Sequence, residues 1–238
     1  MTPWYEGPLA SLTVRARQPA SPSGAESGPD PERDILTAAA LVTQQTPHSP
    51  FEVHNWLVLP GAPPGPTVEA LARALTGATA GRPLAVAHAP YDLTLLDREL
   101  RRHRHTPLTG YLGPRSLYVL DPVLLDRRLS RTAAPASRRG LPQLCDHYGV
   151  SVLPDTAGQP DAEVLSAPED AAVAALALVR ALGRRFAPRL AGLTPPALHT
   201  LQAIWYAAEA RGTAAWFAPH TGLGAVDPAW PLRPVIAA

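Results

Sequence analysis

The sequence predicts an α/β fold, on three observations. Its first 60 residues carry three segments of strand length and strand composition. Helical periodicity and short apolar runs then alternate through residue 120. The remainder shows helical patterns and a proline-rich tail.

Leu9 to Arg15, LASLTVR, mixes apolar and β-branched residues and reads as the first strand. Gln18 to Pro31 is a loop rich in Pro, Ser, Gly and Ala. Ile35 to Val42 is apolar enough for a buried strand, and Glu52 to Leu59 alternates into a third. An antiparallel meander is expected. PGAPPGP, Pro60 to Pro66, breaks regular structure ahead of a helix at Val68 to Leu75. Leu84 to Ala87 is a fourth strand. Asp92 to His103 follows as a helix, with Leu93, Leu96 and Leu100 on one face. Ser116 to Leu120 is a fifth strand, ending at Asp121-Pro122. Short helices are expected at Val123 to Leu129 and at Leu141 to Tyr148, the second capped by Gly149. Ser166-Ala-Pro-Glu169 has capping-box form and opens a long helix to about Gly183. Thr194-Pro195 starts another, with Leu198, Leu201 and Trp205 on one face, and Val226 to Pro234 is extended.

The 238 residues are 46% hydrophobic and 17% charged, as in soluble globular proteins, and long enough for a real core. Apolar runs fall short of the ~20 residues of a membrane span. The first ten residues lack the basic-then-apolar pattern of a signal peptide. No membrane partner and a cytoplasmic location are expected. A single cysteine, Cys145, excludes an internal disulfide and a Cys-rich zinc site. All 21 basic residues are arginine, and the net charge is only +1, so any nucleic-acid binding must come from local clusters. Arg98, Arg101, Arg102 and Arg104 form one; Arg127, Arg128, Arg131, Arg138 and Arg139 form another. Either cluster alone reads first as a solvated helix face.

The richest stretch is LAVAHAPYDLTLLDRELRRHR, Leu84 to Arg104. It places one carboxylate, Asp92, where a strand hands over to a helix, a place where α/β enzymes keep catalytic groups. The stretch resembles the second motif of the DEDD-type (DEDDh) 3'-5' exonucleases, the family of the epsilon subunit of bacterial DNA polymerase III. The likeness continues along the chain. WYEGPLA at Trp4 to Ala10 and VDPAWPLRP at Val226 to Pro234 resemble the ends of actinobacterial members. GPDPERD from Gly28, VLDPVLLDR from Val119, LPQLCDHYGV from Leu141, SAPEDAAVAALALVRAL from Ser166 and LHTLQAIWYA from Leu198 resemble further family segments, in order. The resemblance implies a ribonuclease-H-like fold: a five-stranded mixed sheet flanked by helices, with the site across the central strands. Residues 1–185 would form the exonuclease-like domain, and 186–238 a C-terminal helix and extended tail.

The resemblance also implies hydrolysis at the 3' end of single-stranded DNA or RNA. Two Mg²⁺ or Mn²⁺ ions about 4 Å apart would activate the water and stabilise the leaving oxygen. A D-x-E pair on the first strand and one aspartate from each of two later motifs hold the ions. A histidine five residues before the last aspartate is the general base. Asp92 and Asp170 match the two later aspartates. Thr13 and Arg15 stand in the D-x-E positions, and Leu165 stands where the base belongs. A guanidinium repels a cation, and an aliphatic side chain moves no proton. Weak or no metal binding, with hydrolysis lost or strongly impaired, is therefore expected of a nucleic-acid-binding relative.

Two alternatives stand beside that reading. Glu26 as a displaced metal ligand would give an active exonuclease. A non-catalytic protein-interaction scaffold is the other. The candidate nucleic-acid contacts are His88 (at the place of a usual asparagine), Tyr91, Arg98, Arg101, Arg138 and Arg139. Asp121 reads as a helix cap, Cys145 and His147 as structural, and Trp205, Tyr206 and Trp216 as core rather than base-stacking residues.

Overall fold

The computed structural model describes residues 2–19, 28–59, 63–114, 116–130, 139–151, 167–217 and 227–235, with backbone only at 213–217. Glu26, Leu165, Ser166, Arg131, Arg138 and the side chain of Trp216 lie outside the described residues. Five strands form one mixed sheet: β1 (Leu9–Arg17), β2 (Ile35–Gln44), β3 (Glu52–Leu57), β4 (Leu84–Ala85) and β5 (Val119–Leu120), in the order β3-β2-β1-β4-β5. β1, β2 and β3 form the expected antiparallel meander, whereas β4 runs parallel to β1 and β5 parallel to β4.

Alternation along the strands builds two cores. Ala10, Leu12, Val14, Leu84, Val86 and Val119 face one side. There they meet α1 (Gly65–Ala78), α2 (Ala89–Arg104) and α3 (Leu108–Leu112) through Leu71, Leu75, Leu93, Leu96, Leu100 and Leu108. Leu9, Ala40, Val42, Ala85 and Leu120 face the other side. They meet α4 (Pro122–Leu129), α5 (Leu141–Tyr148) and α6 (Pro168–Arg185). A short helix, α7 (Ala187–Leu190), leads to α8 (Pro195–Phe217), which lies along β5. Among the described residues no helix is long and apolar enough to cross a membrane.

α6 begins at Pro168 with Ala167 as N-cap and no side-chain capping bond. The expected Ser166–Glu169 capping box would set the start one residue earlier; Glu169 and Asp170 instead occupy the first turn. At its far end, the buried Arg180 bonds the Tyr5 carbonyl and Gln44, and a Cβ on Gly183 would touch Tyr5. The C-terminal end of α6 therefore sits at the start of β1. Its 18 residues span ~27 Å and the 9 of β1 ~30 Å, and the helix packs along both β1 and β2.

Candidate functional site

Thr13, Arg15, Asp92 and Asp121 come together beside β1. Thr13 pairs with Ala40 and Arg15 with Ala38, on the face that α6 covers. The ladder then slips: Ala16 pairs with Leu36, leaving Thr37 as the extra residue of a β-bulge. The Thr37 hydroxyl donates to the Arg15 carbonyl at 3.2 Å. Bulges of this kind re-aim side chains at the rim of a sheet.

β4 is shorter than β1. Its pairing ends at Ser11↔Ala85, so the Val14 N–H, which points to the β4 side, has no strand opposite. Asp92, in the first turn of α2, accepts a hydrogen bond from it. Burial pushes the Asp92 carboxyl well above the ordinary carboxylate range. The Val14 N–H and the nearby Arg15 charge pull it back, and Asp121 adds to the rise.

Asp121 is the second buried acid here, and it is a cap, as Asp121-Pro122 predicts. Its Oδ1 accepts from Val123 and Leu124 N–H at the start of α4, at 2.9 and 3.1 Å. Its Oδ2 accepts from Ala89 N–H at the start of α2, at 3.2 Å. Burial raises its pKa too, countered first by the His88 imidazole. His88 precedes α2 in the left-handed region, with φ 64°. One carboxylate thus pins two helix starts, and a sharp left-handed step feeds the chain between them. Asp170, in the first turn of α6, has its pKa raised by burial and then by Glu169.

The metal set implied by the resemblance does not fit these residues. Thr13 offers no carboxylate. Asp92 is buried, engaged with a backbone N–H and next to a guanidinium. Among the described residues no group of three or more His, Cys, Asp or Glu is arranged to hold a metal ion.

Of the expected nucleic-acid contacts, Arg98 is turned into the protein, Tyr91 is half-buried, and His88 and Arg101 are exposed. Arg98 is 5% exposed and bonds Glu32 twice at 2.7 Å, Asp97 at 2.8 Å, and the carbonyls of Arg233 and Pro234. Its guanidinium is thereby committed to partners within the protein. Arg101 pairs with Asp97 at 2.7 Å, Arg102 with Glu99 at 2.5 Å, and Arg104 with Glu69 at 2.8 Å. Arg127 and Arg128 share Glu209. The Tyr91 hydroxyl donates to Asp34 at 2.6 Å, and burial followed by that bond raises its pKa. Arg139 has a buried Nη1 without a hydrogen-bond partner among the described residues. His147 is exposed, edge-on to Tyr148, rather than core-facing; Cys145 is buried.

Three residues important to this region escaped the sequence reading. Asp97 is fully buried and accepts from Leu108 N–H, which starts α3. His199 and Gln202 of α8 bond the backbone of β5. Polar residues at helical spacing beside Leu198 were the available signal. Comparison of the chain with protein-family models, with curated proteins and with solved structures gives no match.

Proposed function

We propose that this chain is a hydrolysis-deficient relative of the 3'-5' exonucleases that keeps a ribonuclease-H-like fold as a protein-contact scaffold. The observation that carries the reading is Asp92: a buried carboxylate bonded to the Val14 N–H, beside Arg15. In that position it serves the backbone of β1, and a divalent cation would have to displace that bond next to a fixed positive charge. The strand order and the mixed sheet fit the fold that the resemblance implies. Nucleic-acid binding gains less support, because arginines 98, 101, 102, 104, 127 and 128 all have carboxylate partners. A free phosphate contact needs an uncommitted cation.

The test uses pure protein and 3'-labelled single-stranded DNA with Mg²⁺ or Mn²⁺. No shortening above the buffer control is expected. Metal-dependent digestion that disappears in Asp92→Asn would overturn the loss of hydrolysis. Binding of the same DNA across a salt series is expected to be weak, with a shallow slope. A slope equivalent to several released counterions would restore the nucleic-acid reading.

A further inference from the structure

The two edges of the sheet end differently. At the β5 edge, α8 supplies side chains in place of a strand. The Val119 N–H donates to His199 Nδ1 at 3.1 Å, and Gln202 Nε2 donates to the Val119 carbonyl at 3.1 Å. The Asp121 N–H donates to Gln202 Oε1 at 2.8 Å. Among the described residues nothing comparable covers β3, which pairs there with β2 alone.

The Val58 N–H donates to the Thr37 carbonyl at 2.9 Å. In an antiparallel ladder this parity turns the backbone groups of residues 54, 56 and 58 toward β2. Those of Val53, Asn55 and Leu57 turn outward. The odd positions also carry an apolar row: Phe51 is 38% exposed, Val53 43%, Leu57 63% and Leu59 57%. Edge strands ordinarily carry charges or prolines that block such pairing. Between Pro50 and Pro60 the only carboxylate is Glu52, which accepts from the Thr43 hydroxyl at 2.8 Å.

We propose that β3 is the interface of a homodimer, in which two copies pair antiparallel about Asn55 and join their sheets into one. The chain itself argues for a second copy as the occupant. Phe51 to Leu59 is nearly palindromic in chemical type: apolar residues stand two and four positions on either side of Asn55. Pairing about Asn55 sets Val53 against Leu57 of the second copy and Phe51 against its Leu59. All these positions are odd, so outward N–H and C=O groups meet outward groups. A shift of one residue would lose that match and the side-chain match together. Glu52 falls beside the second copy's Val58, not beside a second Glu52. Parallel pairing would align like with like and bring the two Glu52 side chains together. The antiparallel arrangement is a closed twofold, which stops at a dimer. The inference is independent of whether hydrolysis is lost.

Sedimentation velocity of the full chain over a dilution series tests it. The expected mass moves from twice 25.2 kDa toward 25.2 kDa on dilution. Asn55→Pro removes the central outward N–H, which β2 does not use, and proline is tolerated on an edge strand. Leu57→Lys places a charge on the exposed row. Both are expected to stay at 25.2 kDa with far-UV circular dichroism unchanged. If the proline variant unfolds, the lysine variant decides. In an Asn55→Cys variant the two cysteines would face each other with Cα atoms ~5.5 Å apart, close enough for an interchain disulfide on mild oxidation. A parent that remains monomeric at the highest concentration would overturn the proposal. So would a dimer that survives Leu57→Lys, or open assembly beyond a dimer.

Discussion

A carboxylate buried as fully as Asp92 is costly to ionise, while its bond to the Val14 N–H needs only an acceptor. These two properties separate under mutation. Because its pKa is raised in the folded protein, the stability associated with it is full below the unfolded value of ~3.9 and is lost as pH rises through the folded value. Asparagine keeps an acceptor and carries no charge. Asp92→Asn should therefore melt with the parent in acid and above it at neutral pH. Asp92→Ala removes the acceptor and strands a buried N–H, costing ~1–3 kcal/mol at every pH. Thermal melts of the three proteins across pH check this. A parent more stable than Asp92→Asn at neutral pH would mean that Arg15 outweighs burial.

Helix α6 shows how an element's own propensity yields to its neighbours. Replacing glycine by alanine inside a helix ordinarily gains ~1 kcal/mol. At Gly183 the new Cβ would lie 2.4 Å from the Tyr5 ring, and Tyr5 is 6% exposed. Overpacking of that kind costs ~1–3 kcal/mol, so the clash wins and Gly183→Ala should destabilise. Gly77→Ala in α1, where a Cβ meets nothing within 4 Å, should be neutral or gain up to ~1 kcal/mol. Urea titration of both variants distinguishes the two sites. The long strands and helices were legible because their apolar periodicity is a local property. β4 and β5 are each only two residues long, shorter than the apolar runs predict, and Asp121 bonds the first N–H groups of both helices that follow them. α3 was not expected from Thr106-Pro-Leu-Thr-Gly110; Asp97, eleven residues from Leu108, supplies its first acceptor.

The C-terminal tail joins the fold at the scale of the whole molecule. Trp230 is 9% exposed within the core on the α2 side, with its ring 4.9 Å from His199. The Arg233 N–H donates to the Thr94 hydroxyl, and Arg98 holds the carbonyls of Arg233 and Pro234. Arg98 also binds Glu32 in the turn before β2. One guanidinium thus links residues from both ends of the chain across α2. Trp230→Ala should cost ~3 kcal/mol and speed proteolysis of the tail, because the cavity opens beneath a segment with no strand or helix of its own. Chemical denaturation and limited digestion measure the two effects. Full stability with normal protease resistance would show that the tail is not part of the cooperative unit.

Residue type and short spacing, which a single chain displays, were enough for the α/β class, the meander, the order of the long helices and the cap at Asp121. What the charges do depends on how distant segments pack. Arg98 and Arg102 read as a basic face because helical spacing puts them together, yet beyond Asp97 and Glu99 on their own helix they bond Glu32 and the carbonyls of residues 32, 34, 233 and 234, from distant segments. Asp92 likewise reads as a ligand from its motif, and becomes a backbone acceptor because β4 ends before β1 does. Hydrogen-bond partners and burial depend on which segments meet in space, so they are decided by packing and not by spacing along the chain.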